Sequence, residues 1–493
     1  DVVSGYTNPR ESGHDFFTIG HTSTSVSLAC GLAKARDLKG GHENIIAVIG
    51  DGSLSGGEAY EGLSNAGEMG TNLIIVVNDN EMSIAENHGG LYQNLKELRD
   101  TEGRSSCNFF RSLGLDYLYV GEGNDIPSLV AAFAKVKDTS RPTVVHIHTQ
   151  KGKGYAPAEA DREEFHWEMP FDLETGKPKV DCSGMEDYHS LTGKFLLEKM
   201  KEDHTVVAIS SGTPTVIGFT PERRKQAGRQ FVDVGIAEEH AVALASGIAA
   251  GGGRPVYGVY STFIQRCYDQ LSQDLCINGN PAVITVFMGT VAGMNDVTHL
   301  GFFDIPLISN IPNMVYLAPT CSEEYFAMLE WAVRQTEYPV AIRVPGVAVV
   351  HRKEEFDTDY SELNRYKMTA RGETVAILAL GSFYDLGQAL KNKLREESGV
   401  EATLINPRYI TGLDEPMLEE LKVGHRIVVT LEDGVLDGGF GEKIARYYGN
   451  SEMRVLNYGL RKEFADRYNL DELMKANRLT DKQMAEDIAG ILE

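Results

Sequence analysis

Two short polar motifs in the first third of the chain have the residue types and spacing to hold a metal-bound diphosphate. Gly-Asp-Gly at 50–52 follows the apolar run IIAVI, and Asn-Asp-Asn at 78–80 closes the next apolar run, LIIVV. Glycine lets a backbone approach a ligand closely, and the start of a following helix favours phosphate. Asp51 and Asn80 offer the oxygen ligands that suit Mg²⁺. Taken alone, each motif could be a plain turn, but the pair favours a metal–diphosphate site.

The elements around these motifs predict how the two turns come together. The stretch 56–69 has helical spacing between the two apolar runs, and TVVHIHT at 143–149 reads as a further strand. Continuous apolar strands that alternate with helices predict a parallel sheet covered on both faces. Both motifs then lie at carboxyl ends of strands, where α/β sheets bind ligands.

The rest of the chain divides by composition. At about 150 residues per domain, 493 residues predict roughly three domains. A linker rich in charge, glycine and proline and a charged stretch at 351–367 separate three α/β segments. We therefore predict the following organisation: a diphosphate- and metal-binding domain at 1–160, a linker at 161–185, a second α/β domain at 186–350 and a third at 368–493.

A weak internal similarity links the first two domains. Residues 15–35 and 230–252 each read as a strand, a glycine turn with polar residues, and a helix of small residues. Repeats of solenoids and propellers recur far closer together, so the similarity predicts two related domains. The alternative is that any strand-turn-helix rich in alanine and glycine looks alike.

Composition narrows the class of protein. A net charge of −24 argues against nucleic acid and against an anionic membrane surface as partners. No apolar run approaches the length of a membrane span, and the polar start is not a secretory signal. The six cysteines are scattered without a Cys-x-x-Cys pair, which predicts a reducing, cytoplasmic compartment and no zinc site or disulfide frame.

Several blocks, in order, resemble one enzyme family. The chain is similar to the thiamine diphosphate-dependent transketolase superfamily, and within it to the 1-deoxy-D-xylulose-5-phosphate synthases. The resemblance implies two related thiamine diphosphate-binding folds with parallel sheets, the second binding the pyrimidine, plus a transketolase C-terminal-like domain. It also implies a homodimer. The blocks are GHTSTS (20–25), NDNEMSI (78–84), QKGKGYAPAE (150–159), GIAEEHAV (235–242), YSTFIQRCYDQ (260–270), THLGFFD (298–304) and LEDGVLDGGFG (431–441).

The resemblance also implies roles for residues that match these blocks. The implied ligands of Mg²⁺ are Asp51, Asn80 and the backbone carbonyl of Met82. The implied contacts of thiamine diphosphate are Gly20, His21, Thr22, Gly52, Ser53, Asn80, Lys151, Tyr155, Glu238 and Phe263. The implied catalytic residues are Glu238, His166, His299, His21, Tyr260 and Arg266.

Glu238 carries the main mechanistic expectation. In this superfamily a glutamate protonates the aminopyrimidine ring of the cofactor, and the cofactor supplies the carbanion chemistry. A glutamate at a helix start also has a plain explanation, since the helix dipole favours an acid there. The match to GIAEEH favours the cofactor role for Glu238, whereas we expect Glu239 to be solvated. Lys151 suits a diphosphate as a point charge, and Lys153 reads as a solvated loop residue.

The implied reaction is decarboxylation of pyruvate followed by ligation of the two-carbon unit to D-glyceraldehyde 3-phosphate. The product, 1-deoxy-D-xylulose 5-phosphate, is a precursor of isoprenoids, thiamine and pyridoxal phosphate. One alternative is a synthase-like carboligase that uses a different, for example unphosphorylated, aldehyde acceptor. A cofactor-binding protein without turnover is another, and a plain nucleotide-binding protein leaves Asn80 and Glu238 without a role.

The chain departs from the family pattern in three places. It opens close to GHTSTS, and it lacks the long excursion after NDNEMSI, so we expect omitted segments with a junction near Gly103–Arg104. At the expected acceptor-phosphate site, Met288 and Gly346 stand where the family carries arginines, and neither can replace a guanidinium. Asn295 stands where an aspartate is expected near the acceptor hydroxyls, with Asp296 beside it. Arg343 aligns with a structural arginine, and the family's tyrosine and arginine at 260 and 266 are retained.

Overall fold

The computed structural model describes residues 5–168, 170–180 and 184–492. The chain divides into two compact units. Unit 1 comprises Asp1–Met185 with the short segments Ser211–Pro214 and Asp233–Glu238, and unit 2 comprises Glu186–Ser210, Thr215–Val232 and Glu239–Glu493. Within the described ranges, no helix combines the length and apolar character needed to cross a bilayer.

Unit 1 is built on a four-stranded, wholly parallel sheet with the order β1-β2-β4-β3. Its strands are β1 (Ile46–Gly50), β2 (Ile74–Asp79), β3 (Asp116–Val120) and β4 (Thr143–His148). Its helices are α1 (Ser25–Leu38), α2 (Gly57–Glu68), α3 (Leu91–Asp100), α4 (Phe109–Ser112), α5 (Ile126–Val136) and α6 (Ala156–Ala160).

Helices cover this sheet on both sides, as the apolar strands predict. On one face Ile75 and Val77 pack with residues of α1, α2 and α3, and on the other Ile74 and Val76 pack with α5. Burial of each such side chain contributes about 1.5–3 kcal/mol. Coverage stops at β1, an edge strand whose Ile46 and Val48 side chains remain exposed.

Unit 2 contains two sheets. The first has six strands in the order β6-β5-β7-β8-β10-β9, and the second has five in the order β11-β13-β12-β14-β15 with an antiparallel edge strand, β11. The strands are β5 (Val206–Ser210), β6 (Phe231–Asp233), β7 (Arg254–Tyr260), β8 (Val283–Phe287), β9 (Val315–Leu317), β10 (Val340–Arg343), β11 (Lys367–Ala370), β12 (Thr374–Ala379), β13 (Thr403–Asn406), β14 (His425–Val435) and β15 (Arg454–Leu460). The helices are α7 (Tyr188–Glu202), α8 (Pro221–Ala227), α9 (Glu238–Ala250), α10 (Asp304–Ser309), α11 (Ser322–Arg334), α12 (Tyr384–Ser398), α13 (Glu415–Leu421), α14 (Phe440–Tyr448), α15 (Leu470–Ala476) and α16 (Asp481–Leu492).

The predicted strand at the start of the first repeat is wrong. Between residues 15 and 20 the chain forms a single isolated bridge, Thr7 to Ile19, and Phe16 is 65% exposed. A strand there would have no apolar face to bury. The small-residue helix of each repeat is present, as α1 and α9. The short strand β3 was not predicted, because its sequence DYLYV lacks a long apolar run. In the structure this strand is only partly buried.

Candidate active site

Asp51 is a buried carboxylate at the carboxyl end of β1. It is 1% exposed, and its Oδ2 accepts a hydrogen bond from the Asn87 side chain at 2.6 Å. The Asn80 N–H donates to Oδ1 at 3.5 Å, so β1 and β2 bring the two sequence motifs together. Burial, followed by the charge of Asp79, raises the pKa of Asp51 to about 6. A cation beside Asp51 would offset both effects.

The oxygens around Asp51 fit the donor set of Mg²⁺. Asn87 Oδ1 and Ser83 Oγ are buried and have no hydrogen-bond partner in the described part of the chain. Such orphaned oxygens are costly unless a ligand, ion or water satisfies them. Asn80 Oδ1 accepts from the Met82 N–H at 3.2 Å, which folds the loop back towards the turn. Carboxylate, amide and hydroxyl oxygens are the donors of a hard cation such as Mg²⁺.

A buried polar network anchors the loop that carries Asn80. Asp79 is fully buried and accepts from Arg99 at 2.5 Å and from His146 Nε2 at 2.9 Å. His146 is also fully buried, and its Nδ1 shares a hydrogen bond with the Tyr117 hydroxyl at 2.7 Å. Burial alone would raise the pKa of Asp79, but the bonds and charges of His146 and Arg99 lower it. Asp79 is therefore an ionised anchor.

Glycine is required at the first turn because a loop crosses it closely. A Cβ on Gly52 would lie 2.9 Å from Ser83 Cα, a separation that real Cβ atoms do not tolerate. Helix α2 begins at Gly57, and no side chain caps its first N–H groups. Backbone N–H groups at an uncapped helix start suit a phosphate.

The turn at 20–23 lies against the Gly-Asp-Gly turn. Ser23 adopts a φ of 77° and its Oγ donates to the Ser53 carbonyl at 2.8 Å. Gly20 and His21 are half-buried, whereas Thr22 is exposed. The structure therefore brings the predicted flanking residues to the same edge as Asp51.

Lys151 joins this edge from the other direction. Its Nζ donates to the Ser83 carbonyl at 2.6 Å, and Asp51 is close enough to counter the lowering of the Lys151 pKa by burial. Tyr155 instead packs edge-on against Phe165, with ring centroids 5.7 Å apart. Its hydroxyl is buried without a partner in the described residues.

His166 lies in a 3₁₀ turn, Glu164–His166, that follows the Lys151 loop. The residue is exposed as a whole, yet desolvation of the imidazole and then the charge of Lys151 lower its pKa to about 4. The imidazole is therefore neutral at pH 7, and its unprotonated nitrogen can accept a proton or a hydrogen bond.

Glu238 sits at the end of a constrained turn in unit 1. It is 2% exposed and is the first residue of α9. Asp233 Oδ1 accepts from the Gly235 N–H at 2.8 Å, and the Ile236 N–H donates to Ser55 Oγ at 2.8 Å. Gly235 has a φ of 75°, which favours glycine. The turn is thus fixed by contacts that also reach the Gly-Asp-Gly segment.

The remaining predicted residues lie in unit 2. Tyr260 is the last residue of β7, and Phe263 and Arg266 follow in a 3₁₀ helix. The Phe263 ring packs against Tyr260 at 5.9 Å and against His299 at 5.6 Å. His299 Nδ1 is 2.8 Å from Thr298 Oγ1, and burial lowers the pKa of His299.

The acceptor-side departures also lie in unit 2. Arg343 is buried and binds Asp304 through Nε at 2.8 Å, and its Nη2 donates to the Asp433 carbonyl at 2.5 Å. The pairing fits the structural role expected for this arginine. Met288 is half-buried with a φ of 57°, and Asn295 bonds to the Tyr468 carbonyl at 3.2 Å.

Matches to known proteins agree with this arrangement. Residues 1–108 match the family profile described as 1-deoxy-D-xylulose-5-phosphate synthase. A relative from Clostridium beijerinckii with that name is 35% identical, covering 97% of this chain and 82% of its own length. The chain belongs to the 1-deoxy-D-xylulose-5-phosphate synthase family. A synthase of this name from Geobacter sulfurreducens is also 35% identical, covering 94% of this chain and 78% of its own length.

Further matches cover the second and third parts of this synthase-family chain and support its fold. Residues 186–349 match the transketolase pyrimidine-binding domain, and residues 365–484 match the transketolase C-terminal domain. A transketolase from Pichia stipitis is 16% identical with a TM-score of 0.51, covering 95% of this chain and 79% of its own. A split-gene transketolase, described as an inactive beta4 tetramer, is 21% identical with a TM-score of 0.52 over 62% of this chain and 98% of its own. The predicted family, transketolase-type enzyme class and α/β fold class are thereby confirmed.

Sequence reasoning missed four residues that the geometry brings to these sites. Ser23 and Asn87 contact the Gly-Asp-Gly turn directly, and His146 anchors the Asn-Asp-Asn loop. His189, which no sequence motif supports, stacks on Phe287 in unit 2. For Asn87 the signal was available, since it follows NDNEMSI closely; the other three depend on contacts distant in sequence.

Proposed function

We propose that this synthase-family chain condenses pyruvate with D-glyceraldehyde 3-phosphate, releasing CO₂ and forming 1-deoxy-D-xylulose 5-phosphate. Thiamine diphosphate and Mg²⁺ would serve as cofactors. The reaction is the one named for its curated relatives. The observation that carries the proposal is the buried Asp51 carboxylate at the end of β1, which accepts hydrogen bonds from the Asn80 N–H and from the Asn87 side chain in unit 1.

Unit 1 would hold the charged end of the cofactor. Asp51, Asn80 and the Met82 carbonyl would bind Mg²⁺, and the backbone and hydroxyl of Gly52 and Ser53 would bind the diphosphate. The orphaned oxygens at the turn and the uncapped start of α2 support this assignment. Mg²⁺ usually retains waters and bridges phosphate oxygens to few protein carboxylates, which matches a site with one carboxylate ligand.

The other predicted cofactor contacts would complete the binding site. Gly20, His21 and Thr22 would flank the diphosphate, Lys151 would neutralise part of its charge, and Tyr155 and Phe263 would pack against the rings. The hydrogen bond from Ser23 to Ser53, which places the 20–23 turn beside the Gly-Asp-Gly turn, supports the first of these roles.

Glu238 would bind the aminopyrimidine ring. When bound, thiamine diphosphate supplies the carbanion equivalent that adds to a carbonyl carbon. The low exposure of Glu238 and the fixed turn before it would hold the carboxyl group in one orientation. A buried carboxyl shares a proton with a ring nitrogen more readily than a solvated one.

The histidines would handle substrate protons. His166 and His299, both kept neutral at pH 7 by lowered pKa values, would accept hydrogen bonds or protons from the substrates, with His21 close to the diphosphate turn. Tyr260 and Arg266 would contact the acceptor. We also propose a homodimer, as the family resemblance implies. We propose a cytoplasmic location because the six cysteines are scattered without a Cys-x-x-Cys pair.

Product analysis tests the proposed function. The purified protein with thiamine diphosphate, Mg²⁺, pyruvate and D-glyceraldehyde 3-phosphate is expected to release CO₂ and to form a product with the mass of 1-deoxy-D-xylulose 5-phosphate in equal amounts. Omission of either cofactor should abolish both signals. Binding of the cofactor without pyruvate-dependent CO₂ release would instead support the alternative of a protein without turnover.

A further inference from the structure

A cavity of about 510 Å³ lies at the amino-terminal edge of the six-stranded sheet in unit 2. Val315, the first residue of β9, and Pro339, which precedes β10, form part of its wall. Strands β7, β8, β10 and β9 run parallel, and Tyr260 is the last residue of β7. The cavity is therefore at the opposite edge of this sheet from Tyr260, and its volume is within the range of small-molecule sites, roughly 300–1,000 Å³.

Segments from both sheets of unit 2 form the wall of this cavity. Thr411 and Gly412, which line it, follow β13 of the second sheet, and the Ile410 N–H donates to the Tyr316 carbonyl of β9 at 2.8 Å. The Thr411 hydroxyl accepts a hydrogen bond from the Tyr316 N–H at 3.2 Å. A Cβ on Gly412 would lie 2.1 Å from Asn364 Cγ, so only glycine fits between these loops. The wall is thus held by contacts between the two sheets.

Ser309 contributes a buried hydroxyl to this wall. It is the last residue of α10 and 8% exposed, and its Oγ is buried without a hydrogen-bond partner among the described residues. Such a hydroxyl is costly unless a ligand or a water satisfies it. The amides beside it are engaged, since Asn310 Nδ2 donates to the Pro306 carbonyl at 2.6 Å and Asn313 Nδ2 donates to the Cys276 carbonyl at 3.3 Å.

The cavity favours positive over negative ligands. Glu337 is the one charged side chain among the described residues that line it, and it is exposed to solvent. Tyr338, also in the wall, adjoins this carboxylate: desolvation and then Glu337 raise the pKa of the Tyr338 hydroxyl. A carboxylate and the face of an aromatic ring both attract an ammonium group. The net charge of −24 adds to this preference.

We propose that this cavity is a binding site for a small organic amine, with the ammonium group at Glu337 and Tyr338 and a hydrogen-bonding group at Ser309. The carbon chain of the ligand packs against Met314 and Leu363, which also line the cavity. A phosphate ester meets a carboxylate and no cation among the described lining residues, so it is disfavoured. The site involves neither the cofactors nor the substrates of the proposed condensation and is independent of that function.

Three probes of equal chain length test the chemical class of the ligand. The full chain is titrated calorimetrically, at about 0.15 M salt, with 5-amino-1-pentanol, 1,5-pentanediol and 5-hydroxypentanoate. These probes share a hydroxyl at one end and carry an ammonium, a hydroxyl or a carboxylate at the other.

The amine is expected to bind with a Kd below about 1 mM, which is within reach of a ligand of this size. It should bind at least about fivefold more tightly than the diol, because the carboxylate and the aromatic ring each favour the cation, and the carboxylate probe should bind most weakly. Equal affinity for the amine and the diol, or no amine binding at about 1 mM, would overturn the assignment.

Two substitutions locate the amine in the cavity. Glu337→Gln should weaken its binding roughly three- to fivefold, the range for loss of an exposed charge, whereas Glu396→Gln at an exposed position on α12 should leave the affinity unchanged. Ser309→Ala removes the unsatisfied hydroxyl, so amine affinity should fall roughly three- to tenfold while the Tm of the free protein does not fall. Unchanged amine affinity in either the Glu337 or the Ser309 variant would contradict the assignment.

A repeat of the amine titration with saturating thiamine diphosphate and Mg²⁺ separates the cavity from unit 1, where the buried Asp51 carboxylate could also attract a cation. The amine affinity should be the same with and without the cofactors. Loss of amine binding when they are added would place the ligand near Asp51 and overturn the assignment. If the cofactors themselves do not bind, the proposed function fails, and the two substitutions still decide whether the cavity takes the amine.

Discussion

The carboxyl edges of the first two sheets are built from opposite chemistry. In unit 1 the edge gathers a buried carboxylate, amide oxygens and a helix start around Asp51, backed by the ionised Asp79. In unit 2 the edge holds aromatic rings, with His189 stacked on Phe287 and in edge-on contact with Tyr260. Parallel sheets place ligands at the same end in both cases, so the side chains, not the topology, decide which part of a reaction each edge serves.

The contrast separates the residues proposed for the cofactor from those proposed for the acceptor. The segment proposed to bind the cofactor carries buried oxygens, on Ser83 and Asn87, that have no hydrogen-bond partner in the described residues and that a metal and diphosphate would satisfy. Among the residues expected near the acceptor, Met288 is apolar and Arg343 is paired with Asp304. The charged edge is thus expected to tolerate substitution poorly, and the neutral edge is expected to set selectivity.

The largest effect is expected at Glu238. Glu238→Gln removes the proton-sharing carboxyl group, so kcat should fall by roughly 10²–10⁴-fold, the range for loss of a positioned acid–base group. Thiamine diphosphate should still bind, as measured by fluorescence titration. The neighbouring Glu239→Gln is the matched control, and its kcat should change by no more than about twofold. Equal losses in the two variants would remove Glu238 from its proposed role.

The second-largest effect is expected at Asp51, the proposed metal ligand. Asp51→Asn keeps the size of the side chain but removes its charge. The affinity for Mg²⁺ should fall by more than about 100-fold, since mutation of a residue that only hydrogen-bonds to a metal ligand already lowers metal affinity by roughly 10–100-fold. Isothermal titration of Mg²⁺ in the presence of thiamine diphosphate measures the change. Unaltered Mg²⁺ affinity would show that the charged edge is not the metal site.

The buried anchor behind the loop should have an intermediate effect. His146→Phe fills the site but leaves Asp79 and Tyr117 without their shared partner, so Mg²⁺ should bind roughly 10–100-fold more weakly. His146→Gln, which can donate to Asp79, should recover part of the affinity. Tyr117→Phe is the control that removes only the outer hydroxyl. A Tyr117→Phe loss as large as that of His146→Phe would point to general loosening of the fold.

The smallest effect concerns pH. The pKa of His189 is lowered in the folded chain, so folding favours its neutral form; the stabilisation is complete above the unfolded value of about 6.5 and is lost as pH falls below it. The urea midpoint of the wild type should therefore decline between pH 6.5 and 5.5 more steeply than that of His189→Phe. The exposed His204→Gln should decline as the wild type does. Parallel curves for all three proteins would contradict a buried neutral His189.

The sequence predicts the charged edge far better than the neutral one. A glycine and a carboxylate at the end of a strand have few roles, so the local pattern is enough to predict a binding site at Gly52 and Asp51. Asp79 and His146 are not, because their pairing joins β2 to β4 across the sheet. His189 and Phe287 come from α7 and the end of β8, and no local pattern marks a stack between them. The strand wrongly predicted near Phe16 shows the limit of analogy between repeats, since no neighbouring strand pairs with it in the described residues.

Crystals grown with thiamine diphosphate and Mn²⁺ in place of Mg²⁺ test the central claim most directly. An anomalous difference map is expected to place the ion about 2.0–2.3 Å from oxygens of Asp51 and Asn80, with the aminopyrimidine of the same cofactor molecule hydrogen-bonded to Glu238. An ion bound elsewhere, or a cofactor that reaches Asp51 without reaching Glu238, would contradict the account.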